Sequence, residues 1–129
     1  MSQIKRRLDQ VRNRITQSAQ SAHRKADDVK LLAVSKRHSS DAILQAYAAG
    51  QRDFGENYCQ EFMDKVGQTR AKSDIIWHFI GPVQSNKTRD LAANAHWVHT
   101  VDRKKIADRL SSQRPPNLEP LNVCMQVNI

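Results

Sequence analysis

Lys36 closes the apolar run Leu31-Leu32-Ala33-Val34-Ser35, and the chain turns polar straight after it. Read as a buried strand, the run carries an amine to the C-terminal rim of a sheet, where barrel enzymes keep their chemistry. A partly desolvated amine at such a rim is suited to form a Schiff base with an aldehyde. For a lysine taken alone, a solvated exit from the core is the commoner arrangement. Three more polar residues follow the same pattern. Asn57, His78 and Thr100 close later apolar segments, and the successive spacings from Lys36 are 21, 21 and 22 residues. A period that regular predicts strands of one parallel sheet that deliver these side chains to a common rim.

The elements that must position them follow from periodicity. Ile4, Leu8, Val11 and Ile15, continued by Ala19 and Ala22, predict an amphipathic first helix with a basic outer face. Asp27-Asp28 breaks it. Strands are predicted at 29–34, 52–57, 75–81, 96–101 and 121–128. Helices are predicted between them: after Ser40-Asp41 with Gly50 as stop, on the stripe Tyr58, Phe62 and Val66, from Ser85 to Ala95, and behind Asp102 on Ile106, Ala107 and Leu110. The strict alternation predicts an α/β fold with a parallel sheet flanked by helices, and the period favours a (β/α) barrel over an open sheet. No Gly-x-Gly-x-x-Gly fingerprint and no Walker-type loop are present, which argues against a nucleotide-binding Rossmann domain.

The totals set the limits. The 129 residues carry a net charge of +8 and a pI near 9.9. Lys5, Arg6, Arg7, Arg12 and Arg14 lie on the polar side of the first helix, interrupted by Asp9. Aromatic residues do not interleave with the basic ones, so a stacking surface for single strands is not evident. Cys59 and Cys124 belong to no paired motif, which disfavours a disulfide framework or zinc site and suits a reducing compartment. No secretory leader and no apolar run of membrane-spanning length are seen, and a cytoplasmic location is expected. An eight-stranded barrel takes ~250 residues. Five strands fit here, so 1–129 is expected to be the N-terminal part of a single longer barrel domain.

Three segments together resemble one family. Ala33-Val34-Ser35-Lys36, Phe54-Gly55-Glu56-Asn57-Tyr58 and Trp77-His78-Phe79-Ile80-Gly81-Pro82-Val83-Gln84-Ser85-Asn86-Lys87 are similar to motifs of the YggS/PROSC family of pyridoxal-phosphate homeostasis proteins. The third is its most specific signature. His99-Thr100-Val101-Asp102 and Val123-Cys124-Met125-Gln126-Val127-Asn128-Ile129 also fit, in order. The resemblance implies a TIM-type barrel like the N-terminal domain of alanine racemase. It implies pyridoxal 5′-phosphate held as a Schiff base on Lys36, and a carrier in vitamin B6 and amino-acid homeostasis without established turnover. Client pyridoxal-phosphate enzymes are implied as partners. The chain departs from the family in two ways. The phosphate-binding segments lie late in the barrel and are absent, and Arg37-His38-Ser39-Ser40 stands where many relatives carry a further lysine and a proline.

The remaining candidates keep two readings each. Asn57 either caps the following helix or contacts the cofactor. His78 fills a polar slot inside the barrel or contacts the cofactor ring, with the slot preferred as its main duty. Gly81 lets backbone approach a ligand or only permits a turn. Glu56 reads as a structural or surface carboxylate. Gln84 to Lys87 open a helix, where an anion site competes with plain capping. His96 and His99 lack the neighbours of a metal site. The runner-up function is a pyridoxal-phosphate racemase or decarboxylase, and a basic nucleic-acid-binding fragment stands third. The full-length form is expected to be a monomer, whereas 1–129 is expected to self-associate through its open sheet edges.

Overall fold

The computed structural model describes residues 2–129. Ser2 caps the first helix, its side chain accepting from the Lys5 N–H, and α1 runs Gln3–Ser21. Its apolar stripe sends Ile4 and Leu8 against the core and buries Ala19. His23 takes a positive φ of 57° just past the helix end. The elements then alternate as expected: β1 Ala33–Val34, α2 Ser40–Ala48, β2 Asp53–Glu56, α3 Cys59–Gln68, β3 Ile76–Phe79, α4 Thr88–Asn94, β4 Trp97–Val101, α5 Lys104–Gln113 and β5 Asn122–Met125. All five strands form one sheet in the order β1-β2-β3-β4-β5, and every pair is parallel. No helix among the described residues is long and apolar enough to cross a membrane.

Register separates two faces. Paired residues in neighbouring strands share a face, and successive residues alternate. Ala33, Phe54 and Trp77 form one row, and Phe79 and Val98 another on the same side. Helices cover that side. Phe62 of α3 packs edge-on to Trp77 at 5.7 Å and to Phe79 at 6.1 Å, with Leu91, Ile106 and Leu110 closing the layer. Edge-to-face aromatic pairs of this kind add ~0.5–1.5 kcal/mol beyond their buried area. The opposite face carries the row Val34, Gly55, His78 and Trp97.

Several boundaries differ from the sequence expectation. The first strand is two residues long instead of six. Residues Ala26–Asp28 form a 3₁₀ turn, and the carbonyl of Leu31 accepts from the Gln51 side chain at 2.8 Å instead of joining the ladder. Ser39, not Ser40, caps α2. The helix expected from Ser85 begins as a 3₁₀ turn over Ser85–Lys87. Asp102 does not cap α5, whose N-cap is Arg103 without a side-chain bond.

Candidate functional site

Lys36 lies two residues beyond the end of β1. The Ser35 N–H still bonds the Gly55 carbonyl at 2.9 Å, and the chain then turns, with the His38 N–H reaching back to the Ser35 carbonyl at 3.1 Å. Lys36 and Arg37 are the two central residues of that turn. Arg37 holds a φ of 64°, in the left-handed region that glycine and asparagine favour. Such a conformation costs on the order of 1–3 kcal/mol and persists where its surroundings fix it. The Lys36 side chain is exposed.

The turn is tied down by two buried charges, Glu56 and Lys65, and by the partly exposed Glu61. Glu56, the last residue of β2, is fully buried, and Lys65 of α3 is 4% exposed. Lys65 Nζ donates to the Ser35 carbonyl at 2.6 Å, to Glu56 Oε2 at 2.8 Å and to Glu61 Oε2 at 2.8 Å. The Ser35 hydroxyl donates to the same Glu56 oxygen. Glu61 Oε2 in turn accepts the Arg37 N–H at 2.6 Å. The hydrogen bond from Lys65, then that from the Arg37 backbone, hold the Glu61 carboxyl below its ordinary value against the opposing effect of burial. Glu56 therefore belongs to the structural side of its two readings. Lys65 was not singled out from the sequence, where a helical lysine four residues after a glutamate looks like an ordinary surface pair.

Asn57 does not cap α3. The N-cap is Tyr58, with no side-chain bond, and Asn57 Oδ1 is buried without a partner. Its backbone explains Gly81. A Cβ on Gly81 would stand 2.0 Å from the Asn57 carbonyl oxygen, so only glycine lets the end of β3 cross the β2–α3 connection. The Gly81 carbonyl then accepts from Thr100 Oγ1 at 2.5 Å, tying a third strand end into the same rim.

His78 sits in a polar slot on the uncovered face. Nε2 lies 2.8 Å from Asp53 Oδ2 and Nδ1 lies 2.9 Å from His99 Nε2, so both ring nitrogens are engaged within the chain. Its ring stacks on Trp97 with an interplanar angle of 5°. Burial, then His78, push the His99 pKa down. The 21-residue interval from His78 to His99 repeats the strand period and signals that pair, whereas Asp53, 25 residues from His78, carries no such mark in the sequence. His96 accepts the Trp77 N–H at Nδ1, at 2.9 Å. Among the described residues no three His, Cys, Asp or Glu side chains gather as a metal site, and Cys59 and Cys124 are free.

Comparison with known proteins decides the family. The model of the alanine racemase N-terminal domain matches residues 6–129. A pyridoxal phosphate homeostasis protein of Pseudomonas aeruginosa is 54% identical over 129 residues, covering all of this chain and 56% of the relative. This chain belongs to the alanine racemase N-terminal-domain family. The pyridoxal phosphate homeostasis protein of Escherichia coli K12 is 49% identical over 131 residues, again across 56% of its length. The chain thus spans a little over half the length of these relatives. PipY of Synechococcus elongatus, in a structure described as having PLP bound, superposes with a TM-score of 0.74 at 40% identity, covering 86% of this chain and 48% of PipY. With the family comes the fold: the parallel sheet of five strands is part of the wall of a TIM-type barrel.

Proposed function

We propose that this chain carries the cofactor-anchoring lysine of a pyridoxal 5′-phosphate carrier in vitamin B6 and amino-acid homeostasis, and that Lys36 holds the cofactor as a Schiff base. The observation that carries the reading is the treatment of Lys36 itself. The peptide groups on both sides of it are bound by Lys65 and Glu61, while its side chain is left exposed. An amine so placed is the group that would hold the cofactor through its aldehyde, and condensation there would form a C=N bond with release of the aldehyde oxygen as water. The residues present suit that ligand. Asn57 offers a buried acceptor with no internal partner, next to Gly81 on the same rim. His78 keeps no free ring nitrogen, so any contact it makes with the cofactor is through its ring. The names of the relatives, and PipY with PLP bound, support the same reading.

The reading is of a carrier, not an enzyme. Racemisation needs a positioned acid and base on opposite faces of a substrate. Here Lys65 spends its three hydrogens on Ser35, Glu56 and Glu61. The free cysteines agree with a reducing, cytoplasmic setting, and pyridoxal-phosphate enzymes are the clients we infer. The test is twofold. Titration of the chain with pyridoxal phosphate should raise a visible absorption band that Lys36→Ala loses together with affinity. Incubating the loaded chain with alanine or serine in heavy water should give no efficient exchange at Cα. Exchange at enzymatic rates would make the protein a racemase- or decarboxylase-type enzyme instead.

A further inference from the structure

We propose that Lys65 is the positioning residue for Lys36, acting through Glu56, Glu61 and the two peptide groups that flank it; the inference rests on the reading of Lys36 above. The Ser35 carbonyl belongs to the peptide group before Lys36, and the Arg37 N–H to the one after. Lys65 Nζ binds the first at 2.6 Å, Glu61 Oε2 binds the second at 2.6 Å, and Lys65 joins Glu61 at 2.8 Å. One ammonium therefore fixes, directly or through one carboxylate, both ends of the residue that carries the reactive amine.

Packing alone does not call for this arrangement. Glu56 is fully buried and Lys65 almost so, and charges taken out of water are expensive unless fully paired. Apolar side chains of similar volume fill such a site at least as well. Glu56 Oε1 has no partner, so the carboxylate is held only through its other oxygen, by Lys65 and the Ser35 hydroxyl. Arg37 is kept at a φ of 64° although it is not glycine, and the carboxylate on its N–H is what holds it there. A strained residue beside a reactive one, fixed by a carboxylate that a buried ammonium holds, is the pattern of a preorganised site.

The same geometry divides labour between two lysines. Lys65 has all three Nζ hydrogens engaged, by the Ser35 carbonyl and two carboxylates, and is buried away from the rim opening. Lys36 is exposed and unencumbered. Of these two lysines only Lys36 is open to the aldehyde, and Lys65 governs its aim without touching it.

The test uses the full chain with Glu61→Ala, Glu61→Gln and the pair Lys65→Met with Glu56→Gln. The pair removes both buried charges together and so avoids the folding failure of an unpaired one. The first readout needs no cofactor: hydrogen exchange and the ¹⁵N–¹H position of the Arg37 amide. The second is the rate at which pyridoxal phosphate, trapped with borohydride, labels Lys36, and the share of label on Lys36 against other lysines. In folded Glu61→Ala and in the pair, the Arg37 amide should exchange faster. Labelling of Lys36 should fall about ten- to hundredfold, as misplacing a reacting group does, and the label should spread. Glu61→Gln, which keeps an oxygen for the Arg37 N–H, should recover most of both. If the folded variants label Lys36 at the wild-type rate and share, the proposal is overturned while the reading of Lys36 stands. If wild-type Lys36 takes no label, the reading of Lys36 falls and the proposal with it.

Discussion

Lys65 reaches across from α3 to the end of β1, its Nζ 2.6 Å from the carbonyl oxygen of Ser35. This contact links a helix 30 residues downstream in sequence to the turn that carries Lys36. It also makes the stability of the chain depend on a balance of buried charge.

Lys65→Met alone should destabilise the chain by about 3–5 kcal/mol, because it strands the Glu56 carboxylate in full burial. Adding Glu56→Gln should restore most of the loss. Urea unfolding followed by circular dichroism measures both. Equal stability of the single and double variants would show that the two groups do not depend on each other.

The glycines separate close approach from plain conformational freedom. Gly81→Ala places a methyl 2.0 Å from the Asn57 oxygen, a backbone atom that cannot move aside cheaply, and should cost more than ~2 kcal/mol. Gly67→Ala, inside α3 with nothing within 4 Å of the added carbon, should stabilise by about 0.5–1 kcal/mol. Thermal midpoints of the two variants should move in opposite directions.

Acid should weaken the fold before carboxylates titrate. His96 is exposed at its edge, but its Nδ1 faces the Trp77 N–H; loss of water there, then Arg114 and His78, hold its pKa below the ordinary 6.5. His99 is depressed in the same direction. Between the folded value and 6.5 the unfolded chain binds the extra proton, so the contribution is full above 6.5 and is lost as pH falls through the folded pKa. Urea midpoints measured from pH 7.5 to 5 should decline, and His96→Gln should flatten the decline. A flat wild-type profile would contradict the assignment.

Much of this was legible in the sequence because it rests on local pattern. The 21-residue spacing marked the strand period, and α1 followed from Ile4, Leu8, Val11 and Ile15; Lys36 and Asn57 lie just past their strands, whereas His78 pairs with Gly55 inside β3 and sits two residues short of that level. The length of β1 was not legible, because a distant side chain, Gln51, takes the Leu31 carbonyl. The clamp was not legible either. Lys65 and Glu61 look like a solvated helix pair until α3 packs onto the sheet beside Glu56 and buries Lys65. Of the two readings of Asn57, the cap fails because α3 starts two residues later, with Tyr58 at its N-cap.

The open strands carry a solution prediction. Val123 is 51% exposed and Met125 82%, and Val127 is also exposed, with β1 and β5 at the two edges of the sheet. The 129-residue chain should associate with rising concentration, and Val123→Lys with Met125→Lys should shift sedimentation velocity toward the monomer. A wild-type chain that stays monomeric at high concentration would contradict this.

The most direct test is to map where the cofactor attaches. The chain is mixed with pyridoxal phosphate, reduced with borohydride, digested and analysed by mass spectrometry. The label should fall predominantly on the peptide containing Lys36, and Lys36→Ala should lose the visible band and bind far more weakly. Label that never appears on Lys36, or a Lys36→Ala chain with unchanged band and affinity, would contradict the account.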